Sequence, residues 1–288
     1  MVDDAVAAAR PMWTLFEPIH AVTYFAPESY AAFEEAGLRG FWRGYFAGRA
    51  APLGPVGPAI VVASFFGFAP ATVARAIPNI WSRAAPEVAL QARLAGAVSA
   101  LRRLLDGHDD AIAEAAALLE RATDDLDCSG RVLAAANAAL PRPVEPLARL
   151  WHATTVLREH RGDGHVAALV SAEVTGCAAL VWHAALDIPR ERLQMYRGWT
   201  DEQWGAALTR LVDRGWLVAD GTPTEEGRAR RAAVEAATDL AAAAPWRVLT
   251  AGETARLTEL LRPLASACAA ELPYPNPIGV PAPGADPG

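Results

Sequence analysis

Residues 198–236, GWTDEQWGAALTRLVDRGWLVADGTPTEEGRARRAAVEA, constrain the fold more than any other stretch of the chain. Thr200 is a good helix N-cap, and Gln203, three residues on, completes a capping box. Asp201 and Glu202 suit the positive end of the helix dipole. Trp204, Ala207, Leu208, Leu211 and Val212 follow at the spacing of one apolar helical stripe. Gly215 can take the left-handed cap that ends the helix. Trp216, Leu217 and Val218 read as a short strand, Asp220-Gly221 as a hairpin turn, and Thr224 as the cap of a further helix.

Helix, short strand, tight turn and helix in that order make the second half of a winged helix-turn-helix. The segment RLVDRGWLVADGTPTEEGRARR resembles the recognition helix, wing and following helix of MarR-type regulators, over about residues 188–240. That resemblance implies a dimer that binds DNA and small phenolic ligands. The whole chain resembles an actinobacterial helix-turn-helix family, through MWTLFEPIHAVTYFAPE, GFWRGYFAGRAAPLGPV, LREHRGDGH and PYPNPIG.

The rest of the chain reads as helix. Apolar periodicity runs through residues 3–25, with breaks expected at Pro11 and Pro18. Further helices are expected up to residue 140, and Pro141, Pro143 and Pro146 mark a boundary. RLWHATTVLREH echoes TLFEPIHAVTYF, so the fold class expected is mainly α: two related helical halves, the second a winged helix with a small β-hairpin wing. The halves are residues 1–140, aromatic-rich, and residues 147–270; a Pro-rich tail covers 271–288. Tyr274 and Ile278 are expected to pin the start of that tail to the body, with disorder from Pro281 onward.

Composition narrows the function classes. All 26 basic residues are arginine, and the net charge is −7. A DNA-binding domain carries a basic face, yet the solvent side of the helix after Thr200 sets Asp201, Glu202 and Asp213 against Arg210 and Arg214. DNA is therefore not the expected partner; a small molecule is, with a homodimer as a possible assembly. Three distant cysteines without a CxxC pair, and an N-terminus without an apolar signal region, fit a cytoplasmic protein with no membrane partner. Dinucleotide, Walker, nucleophile-elbow and zinc-spacing motifs are absent, so no cofactor is named and no metal is expected.

Candidate chemistry concentrates near the N-terminus. Glu17 and His20 form Glu-x-x-His on one helical face, the spacing that feeds a metal in di-iron bundles. The second such motif is missing, which favours a hydrogen-bonded core histidine, with His20 and Glu17 as the catalytic candidates. Arg43, Tyr45 and Arg49 lie among the aromatics of the third helix, and arginine between rings binds planar or anionic ligands. Trp13, Tyr24, Trp42, Arg43, Tyr45 and Arg49 are thus the expected ligand-binding set. Residues 160–165, HRGDGH, read as a helix end, a charged loop and a helix start, with Asp163 as a cap.

Overall fold

The computed structural model describes residues 3–282. Fourteen α-helices fill them: α1 (Asp4–Phe25), α2 (Pro27–Glu35), α3 (Phe41–Ala50), α4 (Pro58–Phe65), α5 (Pro70–Ala76), α6 (Pro86–Leu104), α7 (Asp109–Thr123), α8 (Val132–Ala138), α9 (Pro146–Ser171), α10 (Gly176–Ala184), α11 (Arg190–Arg197), α12 (Asp201–Asp213), α13 (Glu225–Ala241) and α14 (Ala251–Ala269). The mainly α class holds.

Local signals set many helix ends. Thr200 and Thr250 each close a capping box, with Gln203 and Glu253. Thr224 accepts from the backbone N–H of Gly227. Each such cap stabilises its helix by about 1 kcal/mol. Proline opens α2, α4, α5, α6 and α9, where its missing N–H costs nothing.

Two helices run further than the sequence reading allowed. α1 passes through Pro11 and Pro18 without a break. Every residue from Phe16 to Tyr24 is buried, and that packing outweighs the roughly 3 kcal/mol an interior proline costs. α9 passes through Arg161-Gly162-Asp163-Gly164, where a loop was expected. Gly164 admits a neighbour: a Cβ there would lie 2.7 Å from Arg131 Nη1. Arg131 reaches over that spot to donate to the carbonyls of His160 and Ala241. Asp163 is indeed a cap, but of α8, accepting from the N–H groups of Leu133 and Ala134 at 2.9 Å each.

The expected β-hairpin wing does not form. Between α12 and α13 the only pairing is one antiparallel bridge, Leu217 with Pro223, and no strand occurs among the described residues. The backbone chemistry gives the reason. The N–H groups of Trp216 and Leu217 both turn back to the Leu211 carbonyl at the end of α12. Pro223 has no N–H with which to extend a ladder. What remains is a tight loop closed by Val218 N–H to Thr222 O and by the Asp220 carboxylate on Thr222 N–H.

α1 packs on α14, α9 and α6, while α9 packs on α7, α8 and α13. The largest buried cluster, with Phe16, Ile19, Leu101, Leu119, Trp151 and Leu261, draws on both sides of residues 141–146. A second surrounds Phe46, Phe65 and Phe68, and a third surrounds Trp182, Trp204 and Trp216. Fully burying each such aromatic contributes about 1.5–3 kcal/mol. The turn between α11 and α12 docks on the loop before α5: Trp199 Nε1 donates to Gly67 O at 2.9 Å, and Ala69 N to Arg197 O at 2.9 Å.

The chain after α14 returns to the body. Leu272 and Val280 are buried against Ala21 and Tyr24, with Tyr274 and Ile278 packed beside them. Arg192 and Arg197 hold this strap by donating to the carbonyls of Pro275 and Pro277. The expectation of disorder falls mostly on residues 283–288, which lie outside the described residues.

Candidate functional site

α1, α3 and α9 meet around a chain of hydrogen bonds centred on His20, which is 2% exposed. Its Nδ1 lies 2.9 Å from Thr155 Oγ1 and its Nε2 3.0 Å from the Tyr24 hydroxyl. Thr155 commits its own proton to the Trp151 carbonyl. It must therefore accept from His20, which places the imidazole proton on Nδ1 and leaves Nε2 to accept from Tyr24. Burial, and secondarily Arg158, hold the His20 pKa well below its ordinary value, so the ring is neutral. The ring also stacks on Trp151 at 5.9 Å, and Trp151 Nε1 donates back to the His20 carbonyl.

Charged groups close around this chain. Arg49 on α3 grips Glu159 on α9 through two N–H···O bonds of 3.0 Å. Arg158 Nη1 lies 2.8 Å from Glu159 and its Nε 3.5 Å from Glu17. Burial pushes the Glu159 carboxyl up, but Arg158 and Arg49 outweigh it and hold the pKa far below the carboxylate range. Glu17 goes the other way: burial raises it, against Arg158 and the Trp13 indole N–H at 3.0 Å.

The two tyrosines, with ring centroids 5.3 Å apart, are also pushed in opposite directions. Burial raises the Tyr24 phenol. Burial acts on Tyr45 too, but Arg49, Arg197 and Arg158 together bring it below its ordinary value. Arg197 lies over Phe68, 4.4 Å from the ring centroid. Arg93 reaches in from α6, 6% exposed, and donates only to neutral acceptors, Gly48 O and Asn137 Oδ1.

Two adjoining spaces open onto these groups. The outer is a cavity of about 320 Å³ lined mainly by rings, among them Tyr24, Tyr30, Phe33, Phe41 and Tyr45. The inner is a void of about 10 Å³ walled by His20, Arg49, Arg93 and Glu159. The void shares Thr23, Tyr24, Phe33, Gly44 and Tyr45 with the cavity, so an aromatic mouth narrows to an ionic floor.

The structure brings four of the eight expected site residues to these walls: His20, Tyr24, Tyr45 and Arg49. Glu17 and Trp13 stand behind them, bonded to each other. Trp42 packs in the second core cluster, edge-on to Phe68. Arg43 is exposed and donates to Arg39 O, away from the cavity. Arg93, Arg158 and Arg197 carry no motif. The one legible sign was Arg93 in register with Ala89, Ala97 and Leu101, a charge on a helical face that is otherwise buried. Among the described residues no group of His, Cys, Asp or Glu side chains converges as metal ligands do. No single described helix is long and apolar enough to cross a membrane.

Comparison with known proteins adds one relationship. Residues 9–275 match a family described as a helix-turn-helix family. No curated protein and no solved structure matches the chain.

Proposed function

We propose that this chain, which belongs to the helix-turn-helix family, is a small-molecule-binding protein whose ligand enters the aromatic cavity and meets the ionic floor behind it. The observation that carries the reading is convergence: one ring-lined opening, and His20, Tyr24, Tyr45, Arg49 and Arg93 at its inner end. Ligand sites are apolar hollows of about 300–1,000 Å³ with a few placed polar groups, and this cavity lies within that range. A thermal-shift screen of a diverse metabolite library is the test. Hits should stabilise the wild-type chain and lose their effect on Glu34→Trp, which plugs the mouth from an exposed position. No stabilising compound, or hits indifferent to the plug, would contradict the reading.

Family membership favours a second reading, a ligand-responsive DNA-binding regulator. The exposed face of α12 speaks against it. Asp201, Glu202 and Asp213 stand there, and three of the arginines nearby, Arg214, Arg190 and Arg230, are already engaged, which leaves Arg210 and Arg228. Arg214 donates to the Ala172 and Glu173 carbonyls and lies 3.7 Å from the Trp216 ring centroid. Arg190 pairs with Asp201, and Arg230 with Glu226. Phosphate neutralisation supplies nearly all non-specific DNA affinity, and this face offers little of it. A mobility shift on the protein's own upstream DNA at physiological salt separates the two. A specific shift at nanomolar protein that is lost on Arg228→Ala or Arg210→Ala would establish the regulator.

A further inference from the structure

We infer that the ligand is an aromatic carboxylate, and that its carboxylate supplies the counter-ion Arg93 lacks. This rests on the cavity being the binding site. Two guanidinium groups, Arg49 and Arg93, line the floor with one carboxylate, Glu159; Arg158 and Arg197 stand behind it, with Glu17 and Asp163. Glu159 is the only carboxylate on the wall of the void, and Arg49 and Arg158 neutralise it.

Of the two arginines on the wall of the void, Arg93 is the one without a carboxylate partner; Arg197, whose Nε is likewise unpartnered, does not line the void. Its partners are a backbone carbonyl, a side-chain amide and the face of Trp151, 5.3 Å from the ring centroid. Its Nε is buried without a hydrogen-bond partner, although Arg93 lines the void. An ion removed from water and left unpaired is strongly destabilising, so buried charges are paired as a rule. Burial accordingly lowers the Arg93 pKa to about 10, although Tyr24 and Glu159 act in the other direction; neither bonds to Arg93.

Size selects among anions. The void of about 10 Å³ holds about one oxygen atom. A carboxylate can place one oxygen there while its planar body stays among the rings of the cavity. A phosphate or sulfate, with three oxygens around a tetrahedral centre, cannot enter to the same depth. The flat outer walls, Tyr24, Phe33, Phe41 and Tyr45, suit an aromatic body.

Isothermal titration of the full chain with three probes that share one body tests the proposal: 2-naphthoate, 2-naphthamide and 2-naphthyl phosphate. The acid should bind at least tenfold more tightly than the amide and than the phosphate. Arg93→Met should abolish the preference over the amide while circular dichroism stays helical, and Arg93→Lys should restore part of it. If Arg93→Met does not fold, the comparison of acid with amide on the wild-type chain still decides. Equal binding of acid and amide, both lost on Glu34→Trp, would overturn the carboxylate assignment and leave the cavity as the site. Tighter binding of the phosphate, or no binding of any probe, would also overturn the assignment. The library screen then tells separately whether the cavity binds anything.

Discussion

Arg49 and Glu159 lie 110 positions apart and meet through two hydrogen bonds of 3.0 Å, on side chains 10% and 2% exposed. The pair ties α3 to α9 directly behind the cavity. It also sets the field there. Glu159 neutralises Arg49, which donates to the Tyr45 hydroxyl, and Arg158 backs the same carboxylate from its own helix.

Removing one partner should therefore cost far more than an exposed ion pair would. Glu159→Ala leaves Arg49 and Arg158 buried without their anion, and breaking a buried pair costs about 3–5 kcal/mol. Replacing Arg49 and Glu159 together by Met should cost less than Glu159→Ala alone, because one buried guanidinium, Arg158, then loses its anion instead of two. Urea unfolding of the three proteins gives the comparison. Equal losses in the single and the double variant would mean that the pair has no structural role.

Acid should destabilise the protein as its buried histidines take up protons. Burial lowers His152, His160 and His165 to about 4 each. Their unfolded value is about 6.5. With folded values depressed, the stability they contribute is complete above about pH 6.5 and is lost as pH falls toward 4. Glu17, Asp163 and Asp187 are raised and oppose this trend, since their contribution is lost as pH rises through their folded values. His165 shares its Nδ1 with Thr238 at 2.9 Å, a contact glutamine can reproduce. His165→Gln should reduce the slope of stability against pH between 6.5 and 4, by up to about 1.4 kcal/mol per pH unit. A slope identical to wild type would exclude His165 as a source.

The docking of the α11–α12 turn depends on Gly198. Its φ is +75°, and a Cβ there would lie 1.8 Å from Thr72 Oγ1 on α5. Gly198→Ala should cost about 1–3 kcal/mol from the backbone alone, with the clash added. The double variant Gly198→Ala with Thr72→Ala should recover most of the clash, leaving the Thr72 Cβ at 2.9 Å, and not the backbone share. A thermal midpoint unchanged by Gly198→Ala would show that the turn is not held against α5.

Much of the fold was legible because it is local. The caps at Thr200 and Thr224 and the stripe on α12 depend on neighbours within one turn of helix, and they stand as read. The failures come from distant groups. Packing on α14 and α9 carries α1 through its prolines, and Arg131 uses Gly164 of α9 for access. The wing was misread because Trp216 and Leu217 give their N–H groups to α12. At the site, the aromatic density around Tyr24 and Tyr45 pointed to α1 and α3, the helices that line the cavity with α2. Arg43 was counted with Arg49, although 43 and 49 are six residues apart and fall on different faces of one helix. Arg93 and Arg158 enter from α6 and α9, which no spacing within α1 or α3 could reveal.

The central claim is that the cavity holds a small molecule, and the most direct measurement is native mass spectrometry of protein purified from its own host. Wild type should carry a mass above that of the chain, released on unfolding. Glu34→Trp, prepared in the same way, should appear at chain mass alone, with an unchanged helical spectrum. Wild-type protein at bare chain mass, or an adduct retained by Glu34→Trp, would contradict the account.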